Sequence, residues 1–362
     1  MKKFFFYNLS VFLFFSTVLL FDFILSNTIL KYQHCYNYSE YYYDLKKNCS
    51  GKYRFKSSFP LVKTITDEMG LRTGSQKVEK KKNKKNIFIF GDSFTYGVGI
   101  KYEKTYAGLL ASNLKKYNVY NFAVGSYSPT VHLFKLKKAL RSKVIPEKIF
   151  IFLDLTDVID EASRWYYDKN DDEVKLTTNR LFKVSQNDNK NFKKNNFKIT
   201  TNLSSYVNYN LRNIRSSIKL KIKDEYKIKT SIQGNFTYTD INKLDKRFWA
   251  DGTFNKGIES IKKNFSEFQK ISIDNGFDVY VVIYPWAETL EFGQEKFNWS
   301  EFAKEICNYD NCHVIDSIPE FLKYKNNNKK WMTDLYFLND EHFNIKGAKL
   351  LYETVIKNIN IN

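Results

Sequence analysis

Asn86-Ile-Phe-Ile-Phe-Gly-Asp-Ser-Phe-Thr-Tyr-Gly-Val-Gly-Ile100 is the stretch that decides the fold. Ile87 to Phe90 are β-branched or aromatic without a break, the pattern of a strand buried on both faces of a parallel sheet. Gly91-Asp92-Ser93 interrupts that strand, Gly97 and Gly99 keep the following turn open, and helical periodicity resumes near Lys104. A serine just past the carboxyl end of a parallel strand sits where open α/β sheets bind ligands. At the amino end of the next helix, free N–H groups can stabilise negative charge beside it. The plainer reading of Ser93 is a helix cap at a strand-to-helix turn.

Outward from this stretch, strand and helix patterns alternate. Glu103 to Lys116 reads as an amphipathic helix, with Tyr106, Leu109, Leu110 and Leu114 at helical spacing. Val119 to Val124 reads as a second strand ending at Gly125-Ser126. A helix is expected from about Thr130 to Arg141 and a third strand from Lys148 to Leu153. The rhythm returns late in the chain: a helix from Ile258 to about Ile273, a strand from Phe277 to Tyr284, a short helix from Trp299 to Ile306, a strand at His313 to Ile315, and a last helix from about Asn344 to Lys357. Such alternation predicts a parallel sheet with right-handed crossovers. Residues from about 161 to 254 break the pattern. They are polar, rich in Asn and Lys, and long for a loop, so an inserted lid, a subdomain or a partly disordered stretch is expected there. Trp165-Tyr-Tyr167 opens the insertion and Phe248-Trp249 closes it, either as packing at its base or as the rim of a cleft.

The chain has 362 residues, enough for one large or two modest domains, and its 43% apolar and 17% aromatic content can supply a core. The net charge of +19 raises the question of an anionic partner. Lys and Asn are abundant along the whole length rather than gathered on one element, and no nucleic-acid-binding module is recognisable, so no nucleic acid is expected. Attraction to anionic lipid or an acidic polysaccharide stays open.

Met1-Lys-Lys3 precedes an apolar stretch from Phe4 to about Leu25, the length a spanning helix needs. An uncleaved anchor is expected over a cleaved leader, because the apolar stretch is long and no small-x-small site precedes Asn27. Lys2 and Lys3 favour a cytoplasmic amino terminus and an extracytoplasmic, periplasmic remainder. The four cysteines fall into two local pairs, Cys35 with Cys49 and Cys307 with Cys312, which outside the membrane suggests disulfides. A zinc site would want tighter spacing, although His34 and His313 adjoin two of the cysteines. The expected division is an anchor over residues 1–27, a lead-in and linker over 28–85, with a small turn at Thr66 to Arg72 and a solvated charge run at Lys80 to Lys85, and a main domain over 86–360 carrying the insertion.

Acyl transfer by a serine needs a base within hydrogen-bond reach, a group that orients the base, and donors for the oxyanion. Of four histidines, His34 follows the apolar stretch, His132 sits on a predicted helix as a packed or surface residue, and His313 begins a strand. His342 lies in the polar loop Leu338-Asn-Asp-Glu-His-Phe-Asn344. Asp340, two residues earlier, can reach its Nδ1–H and leave Nε2 free for Ser93. The plainer reading is a loop histidine beside a capping aspartate.

Gly91-Asp92-Ser93-Phe94-Thr95 resembles the first block of the SGNH (GDSL-like) hydrolases, and Asp340-x-His342 ahead of the last helix resembles their final block. The two blocks stand in the family's order at opposite ends of the main domain. The resemblance implies a flavodoxin-like three-layer α/β/α fold, with Ser93 as nucleophile, His342 as base and Asp340 as its orienting acid. It implies oxyanion donors at the backbone of Ser93 and of Gly125 or Ser126. In the third block, usually Gly-x-Asn-Asp, this chain reads Asp154-Leu-Thr-Asp157, so Thr156 stands in the place of the asparagine donor. The implied activity is that of a serine esterase or O-acyltransferase on ester groups, O-acetyl above all, of cell-envelope glycans. No cofactor or metal is expected, and nothing in the sequence speaks to oligomeric state. The competing expectation is a catalytically idle SGNH-like module that binds glycan or organises an envelope assembly. A lipase-like reading is weaker, since no large apolar lid is evident.

Overall fold

Residues buried on both sheet faces leave no amphipathic signature, and the strands found here are of that kind. In a computed structural model, the described residues are 2–28, 34–177 apart from 40, 56–58 and 76–79, then 211, and 254–359 apart from 295–296 and 338–339. Lys85–Phe90 and Lys148–Leu153 form the middle of a five-stranded parallel sheet, and Ile149 to Leu153 are wholly buried. Across the sheet the strands run Cys312–Asp316, Asp278–Ile283, Lys148–Leu153, Lys85–Phe90, Tyr117–Asn121. Numbered along the chain, that order is 2-1-3-4-5 read from the Tyr117–Asn121 edge, the flavodoxin-like arrangement. Helices Pro129–Arg141, Leu155–Ser163, Phe254–Asn275 and Trp299–Ile306 pack together on one face. Tyr106–Asn113, Ile318–Asn327, Trp331–Leu335 and Ile345–Asn358 cover the other, completing three α/β/α layers.

The chain reverses its winding between the strands Lys85–Phe90 and Lys148–Leu153. The loops after those two strands diverge there and leave a crevice at the carboxyl edge, the place where such sheets hold ligands. Gly91 is required at its mouth: a Cβ there would stand 1.9 Å from Thr95 Oγ1.

Several expectations need correction. The lead-in is not a tether. Tyr36–Tyr38 pairs with Tyr43–Leu45, and Ser50–Tyr53, Val62–Thr66 and Arg72–Thr73 form a second antiparallel sheet. Arg72 is buried and donates to the carbonyls of Tyr96, Gly97 and Ile100, tying this sheet to the turn after Ser93. The lysine run is tied down as well: Lys80 pairs with Asp67 and lies over the Tyr120 ring, and Lys85 already belongs to the strand. The helix expected over Glu103 to Lys116 is a short 3₁₀ turn, Tyr102–Lys104, followed by Tyr106–Asn113, because Thr105 caps the second piece by accepting from Gly108 N. The insertion takes in the end of helix Leu155–Ser163 and opens on a hairpin, Trp165–Asp168 with Glu173–Leu176; beyond residue 177 and up to 253, Phe248 and Trp249 included, it lies outside the described residues save Leu211.

Lys2–Asn27 is one helix, and its Phe6–Leu25 portion is long and apolar enough to cross a membrane, with almost none of it buried against the protein. Cys35 is bonded to Cys49 and Cys307 to Cys312.

Candidate active site

Ser93 opens the four-residue helix Ser93–Tyr96 directly after the first strand of the sheet. Asp92 caps that helix, its carboxylate accepting from Phe94 N at 2.9 Å. The Asp92 carbonyl accepts from Tyr96 N, which turns the Ser93 N–H, on the same peptide plane, the opposite way, off the amino end of the helix.

The loop before the last helix delivers the other two side chains. Asn344 caps helix Ile345–Asn358 by accepting from the N–H groups of Lys346 and Gly347, and its own amide donates to the carbonyls of Thr333 and Tyr336. Tyr336 and Phe343 make a one-residue bridge, so the loop between them closes tightly: Phe337 N donates to the His342 carbonyl and Asp340 N to the Phe337 carbonyl. Within it His342 Nδ1 lies 2.5 Å from Asp340 Oδ1, and His342 Nε2 lies 2.7 Å from Ser93 Oγ. Both the imidazole and the carboxylate are almost wholly buried. With Nδ1–H donating to Asp340, Nε2 is left as the acceptor for the Ser93 proton.

The surroundings bias that histidine. Burial works against a charged ring. The Asp340 carboxylate on Nδ1, with Glu341 and Asp92 nearby, outweighs it and holds the ring's pKa above its ordinary value of 6.5. Phe94 stacks on the imidazole at 4.7 Å, and Phe55 meets it edge-on at 5.2 Å. His132, by contrast, is a core residue in which burial drives the pKa down to about 3, and His313 packs against Tyr280.

Residues Val124 to Tyr127 form a turn in which Tyr127 N donates to the Val124 carbonyl and Ser126 takes a left-handed φ of 58°. Tyr43 donates its hydroxyl to the Gly125 carbonyl at 2.8 Å, and Trp165 Nε1 donates to the Ser126 carbonyl at 2.6 Å. Since N–H and C=O oppose each other across a peptide plane, engaging the Val124 and Gly125 carbonyls sets the direction of the Gly125 and Ser126 N–H groups. A Cβ on Gly125 would meet Ser93 Cβ at 3.8 Å, so the turn stands beside the serine.

Thr156 departs from expectation. Its Oγ1 lies 2.9 Å from Asp92 Oδ2 and 2.5 Å from Asp154 Oδ1, and Tyr284 bridges the same two carboxylates through its hydroxyl. Thr156 has one hydroxyl hydrogen, and two carboxyl groups stand within its reach. Asp154 does not act as a stand-in for glycine. It caps helix Leu155–Ser163 in a reciprocal arrangement with Asp157. Burial, reinforced by Asp92, raises the Asp154 carboxyl to about 7, and Asp157 and Asp160 are raised as well by their burial. Asp160 pairs with Arg164.

Among the described residues, Asp340, Glu341 and His342 could converge on a cation. Both ring nitrogens of His342 are already taken by Asp340 and Ser93, so a metal would have to displace one of them.

No family model matches the chain, and no curated protein does. Among solved structures it is similar to a lipolytic protein of the G-D-S-L family from Veillonella parvula DSM 2008, at 10% identity and a TM-score of 0.40 over 76% of this chain and 99% of that one. It is similar to a putative lipolytic protein of the G-D-S-L family from Desulfitobacterium hafniense DCB-2, at 14% identity and 0.39 over 76% and 99%. A variant of an acetyl-xylooligosaccharide esterase from Geobacillus Stearmophilus matches at 11% identity and 0.38 over 79% and 98%.

Proposed function

We propose that the chain is an SGNH-type serine esterase or O-acyltransferase that works through an acyl-enzyme. The observation that carries this reading is the 2.7 Å contact between Ser93 Oγ and His342 Nε2, with Asp340 on the opposite ring nitrogen. Ser93 Oγ attacks the ester carbonyl carbon while His342 Nε2 takes its proton. The oxygen that gains charge is held by the N–H groups of Ser93 and of Gly125 or Ser126. Collapse breaks the carbon–oxygen bond of the leaving alcohol, to which His342 returns the proton. Water or a sugar hydroxyl then attacks the acyl-Ser93 ester by the reverse sequence, giving hydrolysis or transfer.

The proposed substrate is an O-acyl group, O-acetyl above all, on a glycan of the cell envelope. The support is indirect: an amino-terminal helix fit to span a membrane, two disulfides that suit an oxidising compartment, and aromatic rings around the imidazole. The proposed topology keeps the amino terminus cytoplasmic and the site outside.

The test is fluorophosphonate labelling and p-nitrophenyl acetate turnover by the full chain in detergent. Ser93→Ala is expected to abolish labelling and lower kcat on the order of 10⁶-fold. Asp340→Asn is expected to lower kcat on the order of 10⁴-fold without unfolding the protein. Because His342 must be neutral to accept a proton and its pKa is held up, kcat/KM should climb along a limb centred above pH 6.5. Well-folded wild type that neither labels nor turns over the ester would move the weight to a glycan-binding module.

A further inference from the structure

The space beside Ser93 has a third wall that comes from the lead-in. A Cβ placed on Gly125 would meet, among the described residues, Ser93 Cβ at 3.8 Å and the Tyr36 hydroxyl, also at 3.8 Å. The Tyr36 hydroxyl and Ser93 therefore both border the open side of Gly125. Thr156, which the sequence pattern would place in that role, has its hydroxyl turned to Asp92 and Asp154.

We infer that the Tyr36 hydroxyl is a third donor to the oxyanion, standing in for the missing asparagine; this rests on the serine-hydrolase reading above. An effective donor is held in place before the reaction starts. The Tyr36 ring is enclosed by those of Tyr38 at 5.7 Å, Tyr53 at 5.6 Å and Tyr96 at 6.2 Å. Its neighbour Cys35 is tied to Cys49, and its strand pairs with Tyr43–Leu45, whose Tyr43 hydroxyl holds the Gly125 carbonyl. One short hairpin thus sets both a side-chain donor and the direction of a backbone donor. Burial, with the tyrosines around it, raises the Tyr36 pKa well above 10, so the hydroxyl keeps its proton wherever His342 is a competent base.

The bond to the oxyanion forms as the carbonyl carbon becomes tetrahedral and is weaker to the ester in its ground state, so its loss should fall on kcat and spare KM. The experiment is Tyr36→Phe in the full, detergent-solubilised chain, beside wild type and Ser93→Ala, with p-nitrophenyl acetate kinetics, the rate of fluorophosphonate labelling and the thermal midpoint. Phenylalanine keeps the ring among its neighbours and removes only the hydroxyl. The expected result is a fall of about 10²-fold or more in kcat, a parallel slowing of labelling, and KM and thermal midpoint close to wild type. A variant as active as wild type would overturn the inference and leave the serine reading standing. So would a loss confined to KM, or one matched by a lowered thermal midpoint. Wild type with no labelling and no turnover would overturn both.

Discussion

Two apolar cores meet at the site, and they are made of different sequence. The larger lies around the parallel sheet and is filled by unbroken runs such as Phe88 to Phe90, Ile149 to Leu153 and Val279 to Ile283. Each run is close in sequence, almost all aliphatic or phenylalanine (Tyr280 is the exception), and buried by strands and helices that follow one another along the chain. The smaller sits over the carboxyl edge and gathers Tyr43 and Leu45, Phe59, Tyr96 and Val98, Val124 and Tyr127, and Trp165, Val174 and Leu176. Its residues are scattered over distant segments, and several carry a polar atom that is used: Tyr127 donates to the Tyr43 carbonyl, Tyr43 to Gly125 and Trp165 to Ser126. The sheet core supplies stability. The aromatic core positions backbone groups beside Ser93, because Tyr and Trp offer packing area and a directed donor at once.

That contrast can be broken at either core. Phe150→Ala, in the middle of the central strand and fully buried, should cost about 3–5 kcal/mol and be read as a lower denaturant midpoint with activity lost only as the protein unfolds. A site-specific loss of activity in a fully folded variant would contradict the division.

The two disulfides sharpen it, since one lies in each region. Replacing Cys35 and Cys49 together by serine frees a loop of 14 residues and should cost about 3 kcal/mol. Esterase activity should fall beyond what unfolding explains, because Tyr36 and Tyr43 lose their anchor. Replacing Cys307 and Cys312 frees a loop of 5 and should cost about 2 kcal/mol, with kcat unchanged in the folded fraction. Equal effects on kcat would remove the distinction.

The smallest expected effect is on the pH dependence of stability. Asp154 and Asp160 have native pKa values raised from 3.8 to about 7, so the folded state holds protons that the unfolded chain has released. Stability from these groups is full at low pH and declines as pH rises from 3.8 to about 7. His342, also raised, adds a term present below 6.5 and lost as pH climbs through its native pKa. Activity should therefore rise over the range in which the thermal midpoint falls. Asp154→Asn should flatten the decline; an unchanged slope would show that this acid is ionised throughout.

Legibility followed the same divide. The strands of the sheet were readable as unbroken apolar runs, because both faces are buried, and the long helices because burial of one face imposes a period. That Ser93, Asp340 and His342 come together was legible because a serine after a strand and an acid two residues from a histidine are local patterns. The hairpins of residues 36–53, the cap formed by Thr105 and the short helices Ala287–Phe292 and Trp331–Leu335 were not, since three to six residues are too few to display a period. Tyr36 gave no signal at all: one tyrosine among many in a Tyr-rich lead-in is marked only by what it faces. Thr156 misled for the reverse reason. Its place in the motif suggested a donor, but in the fold its hydroxyl meets the carboxylates of Asp92 and Asp154.

From its residues alone, this chain declares a parallel α/β sheet, an apolar helix at its start, a serine just after a strand and an acid two residues before a histidine, each a local pattern along the chain. Which groups surround Ser93 was decided by folding: Tyr43 and Trp165 at the turn, the acids beside Thr156 and the hydroxyl of Tyr36 near Gly125 lie tens of residues apart. They meet because burying aromatic surface over the sheet's carboxyl edge brings these distant segments together.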